Sequence, residues 1–349
     1  MRNIWQEQNG FMSMETYEKI IESIRWINPI PLFFFGGIGE PLAHPNIREM
    51  VTLAKNIGAE VELITNGILL DEAVSIWMIE LGLDRLWVSI DGAKPESYAD
   101  IRLGDALPKV ISNLKQLKKL KVNPITIPTG NPKLGIAFVA MQRNFKDLPD
   151  VVGLGKKLGA DLFSISNVLP YTEELRSQML YSRSLYISYP HSIENSSIIN
   201  LPRFDLNEPT LRIVSETFTK NNISRLNNKT VDNSANLCPF VNKSSISVRW
   251  DGNVSPCLSL LHSHTSYLDD TFRTTKEFFV GSVNAKPLLD IWNDLEYVEL
   301  RERLMTFDFS PCTMCNSCEM AESNLEDCFG NVHPTCGGCL WTQGFIKCP

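Results

Sequence analysis

The sequence predicts a parallel α/β domain followed by a smaller, cysteine-rich domain. Three observations predict it. Helical and strand patterns alternate through residues 1–170, turn residues close one strand after another, and all nine cysteines fall after residue 237. Between these parts, 171–236 is rich in Ser and Asn and reads as a bridging region, which leaves 237–349 as the second domain.

The elements follow in order. Tyr17, Ile20, Ile21, Ile24 and Ile27 recur at helical spacing behind Ser13, whose hydroxyl can cap the helix start. Pro29 and Pro31 break that helix. The apolar run 32–35 stops at Gly36-Gly37 and reads as a buried strand. A helix over 46–56 ends before Gly58, and strand 61–64 closes in Thr65-Asn66-Gly67. Helix 71–81 gives way at Gly82 to strand 85–90, which ends in Asp91-Gly92. Helix 107–120, a Pro/Gly-rich loop, strand 134–140, helix 148–158 and strand 161–165 complete the pattern, with Asn167 just beyond. One more helix is expected at 208–218, inside the bridge.

Helices between consecutive strands imply parallel strands joined by right-handed crossovers. Five such strands make either an open doubly wound sheet or a partial barrel. The first element is a helix with no strand before it, so the pattern starts as if inside a βα loop, with its first strand absent.

A formal net charge of −7 argues against nucleic acid or an anionic membrane surface as the main partner. No apolar run approaches the roughly 18 residues of a membrane span. The first residues lack a basic segment leading into an apolar one, so no secretory signal is expected and the protein is expected in the cytoplasm. In that compartment nine cysteines favour metal binding over disulfides, and an odd number suits a disulfide framework poorly.

Parallel α/β folds bind ligands at the carboxyl ends of their strands, where the distinctive residues of this chain fall. The first strand runs into Gly36-Gly37-Ile38-Gly39-Glu40-Pro41. Glycines admit close backbone approach, and a carboxylate there can receive an amino group. The run does not match GxGxxG, so a dinucleotide site is disfavoured. Thr65-Asn66-Gly67 and Ser89-Ile90-Asp91-Gly92 end the next two strands and would face the same pocket. His44, between Ala43 and Pro45, is read as structural.

On segments 33–45, 63–67 and 87–92 the chain resembles the radical S-adenosylmethionine (SAM) superfamily, in particular its SPASM subgroup. The resemblance implies a partial (β/α)6, TIM-like barrel lacking its first strand. It also implies that Gly37, Gly39 and Glu40 hold the amino end of SAM, with Gly36 beside them in the cofactor site. Ser89 and Asp91 would contact the ribose, Thr65 and Asn66 would line the same cavity, and Val139 and Met141 would pack on the adenine. Asn167 resembles a residue facing substrate, and Arg2 and Trp5 fall where the family approaches SAM or substrate.

In the second domain, Cys238, Gly252 and Cys257 fit the opening of a SPASM pattern, with a hairpin turning at Asp251-Gly252. Cys312, Cys315, Cys318, Cys328, Cys336, Cys339 and Cys348 follow at spacings that depart from the commonest form. Thiolates suit iron–sulfur clusters or zinc, and two four-iron clusters take eight of them. Cys312-x2-Cys315 with Cys336-x2-Cys339 also has zinc-ribbon spacing, which would leave five cysteines unexplained. Segments 259–268, 327–331 and 334–341 resemble the radical SAM maturases associated with tungsten-cofactor aldehyde oxidoreductases. His262 and His264, in the first of these, are either ligands near a cluster or plain hydrogen-bonding groups.

The resemblance implies SAM and [4Fe-4S] clusters as cofactors, with one cluster chelated by SAM and up to two auxiliary. Reductive cleavage of SAM would yield a 5′-deoxyadenosyl radical that abstracts hydrogen from a cofactor, peptide or protein substrate. A low-potential donor such as ferredoxin or flavodoxin would supply the electron. The Cys-x3-Cys-x2-Cys loop of the SAM cluster is missing, because no cysteine precedes Cys238. That absence matches the absent strand, and the expectation is that Met1 is not the native start. Three functions stay open: maturation of a tungsten oxidoreductase, modification of a peptide, and a non-catalytic iron or zinc protein that binds a partner.

Overall fold

The computed structural model describes residues 10–96, 106–122, 130–187, 196–224, 236–315 and 318–348. Six strands form one parallel sheet: β1 (Phe33–Phe35), β2 (Val61–Thr65), β3 (Arg85–Ser89), β4 (Lys133–Ala140), β5 (Ala160–Asn167) and β6 (Ile199–Asn200). Each lies beside its sequence neighbour, in the order 1-2-3-4-5-6. A doubly wound sheet reverses its strand order at a switch point, and this sheet does not. The partial barrel is therefore the correct one of the two alternatives.

The helices fall where the patterns predict them. In α1 (Met14–Ile24) Ser13 is the N-cap, its hydroxyl accepting from Thr16 N at 3.1 Å, and Tyr17, Ile20, Ile21 and Ile24 form the buried face. Such a cap contributes about 1 kcal/mol. Between the strands stand α2 (Ile47–Asn56), α3 (Glu72–Glu80, capped by Asp71), α4 (Leu107–Val122) and α5 (Leu148–Leu158). At the end of α5, Gly159 takes the left-handed conformation (φ 94°) that ends the helix cheaply.

The stretch expected to be a bridge does more than connect. Ile199 and Asn200 pair with Phe163 and Ser164 and extend the sheet by one strand. Helix α6 (Glu208–Lys220) then packs on α5. A two-residue strand in a polar segment carries no periodicity of its own, and its pairing is settled by the sheet edge it meets.

In the C-terminal part, β7 (Ser247–Val248), β8 (Asn253–Ser255) and β11 (Gly281–Ser282) form a small antiparallel sheet. The expected hairpin turns at Gly252, whose φ is 86°. A second hairpin joins β9 (His264–Leu268) to β10 (Thr271–Thr275). Helices α7 (Leu288–Trp292) and α8 (Leu295–Thr306) follow.

Among the described residues, the places that fasten this part to the barrel include these two. Val254, Val283, Leu288 and Ile291 belong to the main hydrophobic core, and Thr16 Oγ1 donates to Asn284 Oδ1 at 3.1 Å. At the other fastening, the chain end crosses the end of β5. Lys347 N donates to Ser166 Oγ (3.0 Å), and Asn167 Nδ2 donates to the carbonyls of Phe345 (2.9 Å) and Arg203 (2.8 Å). No helix among the described residues is long and apolar enough to cross a membrane.

Candidate functional site

Parallel strands in sequential order bring their carboxyl ends to one rim, and the polar residues predicted there share it. After β1, Gly36 cannot be larger, because a Cβ would lie 2.3 Å from the Phe34 ring and 2.7 Å from Ile64. Gly37 has φ 99°, a left-handed backbone that favours glycine, and its Cα faces Leu258 of the C-terminal part. Gly36, Gly37 and Gly39 are solvent-exposed, so the rim is open above them.

Glu40 joins this loop to the next strand. Its Oε1 accepts from Thr65 Oγ1 at 2.7 Å and from Leu42 N at 3.1 Å, and its Oε2 accepts from Asn66 N at 2.8 Å. A carboxylate offers about four acceptor positions, so roughly one is left to point at a ligand ammonium. Thr65 Oγ1 also accepts from Gly67 N, and Asn66 Oδ1 accepts from Ile68 N at 2.9 Å. The Asn66 side chain thus folds its own turn.

Asp91, fully buried after β3, accepts at Oδ1 from Val139 N on β4 at 2.7 Å. Asn144, not singled out in the sequence, locks this corner. Its Nδ2 donates to the carbonyls of Asp91 (3.1 Å) and Val139 (2.9 Å), and its Oδ1 accepts from Met141 N (2.8 Å). Asp91, Val139 and Met141 are therefore one hydrogen-bonded unit. Ser89 is half-buried at the end of β3, in register with Ala137. A polar residue three positions beyond a strand-end methionine was the available signal for Asn144, and loop composition concealed it.

Other expectations resolve plainly. Asn46 N donates to His44 Nδ1, so His44 Nε2 carries the proton and donates to Met12 O at 2.9 Å. His44 is structural. The Asn167 amide nitrogen is committed to the carbonyls of Arg203 and Phe345, and its Oδ1 has no partner among the described residues. Arg2 and Trp5 lie outside the described residues.

The cysteines gather in two groups. Cys238, Cys257, Cys336 and Cys339 line one cavity of about 20 Å³ whose other walls include Val241, Pro256, Leu260 and Leu300. Burial, then the fields of Cys339, Cys336 and Cys238, hold the Cys257 thiol well above its usual range. Burial likewise pushes Cys238 up to about 11 and raises Cys336 and Cys339. The second group is Cys312, Cys315, Cys318 and Cys328. Burial raises Cys315, followed by the fields of the other three, and Cys315 and Cys328 are exposed. Cys348 belongs to neither group. Burial raises its thiol, and Trp341 and Lys243 are the neighbours that lower it.

The two Cys-x2-Cys pairs that gave zinc-ribbon spacing thus fall in different groups. Among the described residues no three His, Cys, Asp or Glu side chains form a group able to hold a single metal ion. One zinc would draw four sulfurs to about 2.3 Å from a common centre, whereas a four-iron cube spreads its thiolates wider.

The groups meet at Gly337-Gly338. A Cβ on Gly337 would lie 1.7 Å from Ser310 O and 3.4 Å from Cys312 Sγ. A Cβ on Gly338 would lie 2.7 Å from Arg273 Cζ. Arg273 is 3 % exposed, and its Nη1 donates to Ala321 O. Burial lowers its pKa, opposed by the fields of Cys312, Cys339 and Cys336. Sequence parity misleads here. In β10 the aromatic Phe272 faces solvent and the arginine faces inward, opposite buried Ser266. In the second group Asp327 ties the loop of Cys328 to that of Cys312, accepting from Ser310 N at 3.0 Å and from Asn331 N and Phe329 N.

Comparison with known proteins agrees with this layout. Residues 3–133 match the family model of the radical SAM superfamily, and 238–319 match that of SPASM, an iron–sulfur cluster-binding domain. The tungsten-containing aldehyde ferredoxin oxidoreductase cofactor-modifying protein of Pyrococcus furiosus is 28% identical, over 99% of this chain and 91% of its own. A probable GTP 3′,8-cyclase of Methanocaldococcus jannaschii is 27% identical over 63% of this chain and 66% of its own. Among solved structures, anSMEcpe with bound AdoMet superposes with a TM-score of 0.56 at 15% identity, covering 90% of this chain and 77% of that one. Streptococcus suis SuiB bound to S-adenosylmethionine gives 0.54 at 15% identity, covering 91% and 66%. At such identities the structural likeness speaks for the fold alone.

Proposed function

Because the chain belongs to the radical SAM superfamily and carries a SPASM iron–sulfur domain, we propose that it is a maturase. Its proposed task is to modify the cofactor, or the protein, of a tungsten-dependent oxidoreductase. The observation that carries this reading is the likeness to the Pyrococcus furiosus protein along nearly the whole of both chains.

The residues fit the cofactors the family takes. Two groups of four thiols, one walled by apolar side chains, are donor sets for two auxiliary [4Fe-4S] clusters. We assign one to Cys238, Cys257, Cys336 and Cys339, and the other to Cys312, Cys315, Cys318 and Cys328. A SAM-chelating cluster needs three further thiolates, and the sequence has no cysteine before Cys238, so its ligands are assigned to no residue here.

SAM bound on a reduced cluster would supply the means of abstracting a hydrogen atom from substrate. Glu40, held by Thr65 and Asn66 N, would offer its remaining acceptor position to the SAM ammonium. Gly36, Gly37 and Gly39 let the backbone approach the methionine part. Ser89 and Asp91 would hold the ribose, and the strand end bearing Val139 and Met141 would supply the surface for adenine. Asn144 positions that surface through its bonds to Asp91, Val139 and Met141. A small low-potential carrier such as a ferredoxin or flavodoxin is the proposed electron donor. Nine free thiols suit a reducing cytoplasm.

Two measurements test the reading. Anaerobic reconstitution should load about eight iron and eight sulfide on the two auxiliary groups, and about one zinc without sulfide would sink the cluster assignment. Deleting the gene in a host that makes a tungsten oxidoreductase should leave that enzyme with an altered organic cofactor by mass spectrometry. An unchanged cofactor and full activity would refute the maturase role.

A further inference from the structure

Arg273 is a buried cation with no carboxylate partner among the described residues; its one described hydrogen bond is to a neutral carbonyl, that of Ala321. Taking a guanidinium out of water is costly unless an anion faces it. The side chain lies on Gly338, within the Cys336-x2-Cys339 loop, where Cζ and Nη1 would stand 2.7 and 2.8 Å from an added Cβ. It lines a cavity of about 40 Å³ together with Cys257, Cys336 and Cys339. On the neighbouring residue, Gly337, the approach is that of Cys312, from the other thiol group. The two glycines make room for both encounters.

With no carboxylate beside it among the described residues, the anion that would face Arg273 is the set of thiolates that Cys312, Cys336 and Cys339 would present as cluster ligands. Four thiolates outweigh the positive charge of a four-iron core, and one-electron reduction adds a further negative charge. The electron comes from the low-potential donor, which is oxidised as the cluster is reduced. A fixed positive charge beside the cluster favours the more negative, reduced state, because net charge and burial set cluster potentials.

We propose that Arg273 is the shared counter-charge of the two auxiliary sites, raising the reduction potential of both. It is a positioning residue for charge, and it touches no substrate. The guanidinium lies against the Cys336-x2-Cys339 loop at Gly338 and in the field of Cys312 from the other group, so both potentials should move. The proposal rests on the cluster assignment above, but its failure is separable from that of the assignment.

The experiment is an EPR-monitored redox titration of the reconstituted chain beside R273K and R273Q, with iron and sulfide measured first. Low iron and sulfide in the native chain would sink the cluster assignment, and Arg273 with it. With full loading, R273Q should shift the reduced-to-oxidised ratio at fixed potential at least about tenfold toward oxidised. That is 59 mV for a one-electron couple. R273K should stay within about threefold of native, since it keeps the charge. If R273Q holds no clusters while R273K holds them at native potential, the requirement for a cation is equally supported. The proposal is overturned if R273Q keeps both clusters at unmoved potentials. It is also overturned if R273K behaves as R273Q does, by shift or by cluster loss, because shape and not charge would then be the cause.

Discussion

The two thiol groups hold the same number of cysteines and differ in how the chain builds them. The group of Cys238, Cys257, Cys336 and Cys339 draws on both ends of the C-terminal part and is packed against α8 through Leu300 and Leu304. The group of Cys312, Cys315, Cys318 and Cys328 comes from one short loop region, with two thiols in solvent. The first is held in place by a hydrophobic core. The second depends on local hydrogen bonds, chiefly those of Asp327. Burial strengthens every electrostatic interaction with a cluster, so if both groups hold clusters, identical ligands in these two settings would give them different potential and different access.

The largest effect is expected where the two groups touch. Gly337→Ala puts a methyl group 1.7 Å from the Ser310 carbonyl, so backbone must move. The cost should exceed about 3 kcal/mol, at the upper end of overpacking. Because Ser310 lies two residues before Cys312, iron should fall at both groups. Loss confined to one group, read from iron analysis and EPR, would show that they are built independently.

Next comes the pH dependence of the metal-free chain, which sharpens the contrast in burial. The Cys238 thiol is pushed from the ordinary 9 up to about 11, so the fold favours its protonated form. That contribution is fully present below about pH 9 and is lost as pH rises toward about 11. Two pKa units correspond to about 3 kcal/mol. Denaturant midpoints should therefore drop between about pH 9 and pH 11, and Cys238→Ser should flatten the fall. An equally steep fall in the variant would assign it to other groups.

How much of this was legible in the sequence follows from locality. The strand-end motifs were legible because a turn, a strand and its loop are contiguous, so Glu40, Thr65, Asn66, Ser89 and Asp91 reach the same rim from a one-dimensional pattern. Nine cysteines after residue 237 announced a metal domain. Their division was not legible, since the first group encloses the second in sequence and the zinc-like pairing was equally good on spacing alone. Strand β6 escaped because two residues in a Ser/Asn-rich stretch have no period. Arg273 escaped because β10 inverts the usual parity. Asn144 escaped because a loop asparagine looks like any other until its three partners are known.

A smaller effect should separate the groups cleanly. Asp327→Ala removes the acceptor for Ser310 N, Phe329 N and Asn331 N, and should cost about 2 kcal/mol. Burial pushes the Asp327 carboxyl up, but hydrogen bonds from Asn331 and from backbone amides outweigh it and hold the pKa below the usual value. Its contribution is thus present above about pH 4 and fades only as pH falls further. Iron should be lost from the exposed group alone. An equal loss from the Cys257 group, by EPR of the two signals, would mean that Asp327 supports the whole domain.

The smallest effect concerns the ninth thiol. Cys348 is half-buried beside Trp341 and Lys243 and lies in the field of neither group. Its backbone neighbour Lys347 is tied to Ser166 of β5, so the chain end serves to fasten the C-terminal part across the barrel. The expectation for a thiol placed that way is that it packs rather than ligates. Cys348→Ser should therefore change stability by no more than about 1 kcal/mol and leave iron, sulfide and both EPR signals as in the native chain. Loss of about four iron would instead make Cys348 a ligand and displace one member of a proposed group. Serine variants of Cys315, Cys318 and Cys328, the more accessible thiols, would then identify which one had been wrongly assigned.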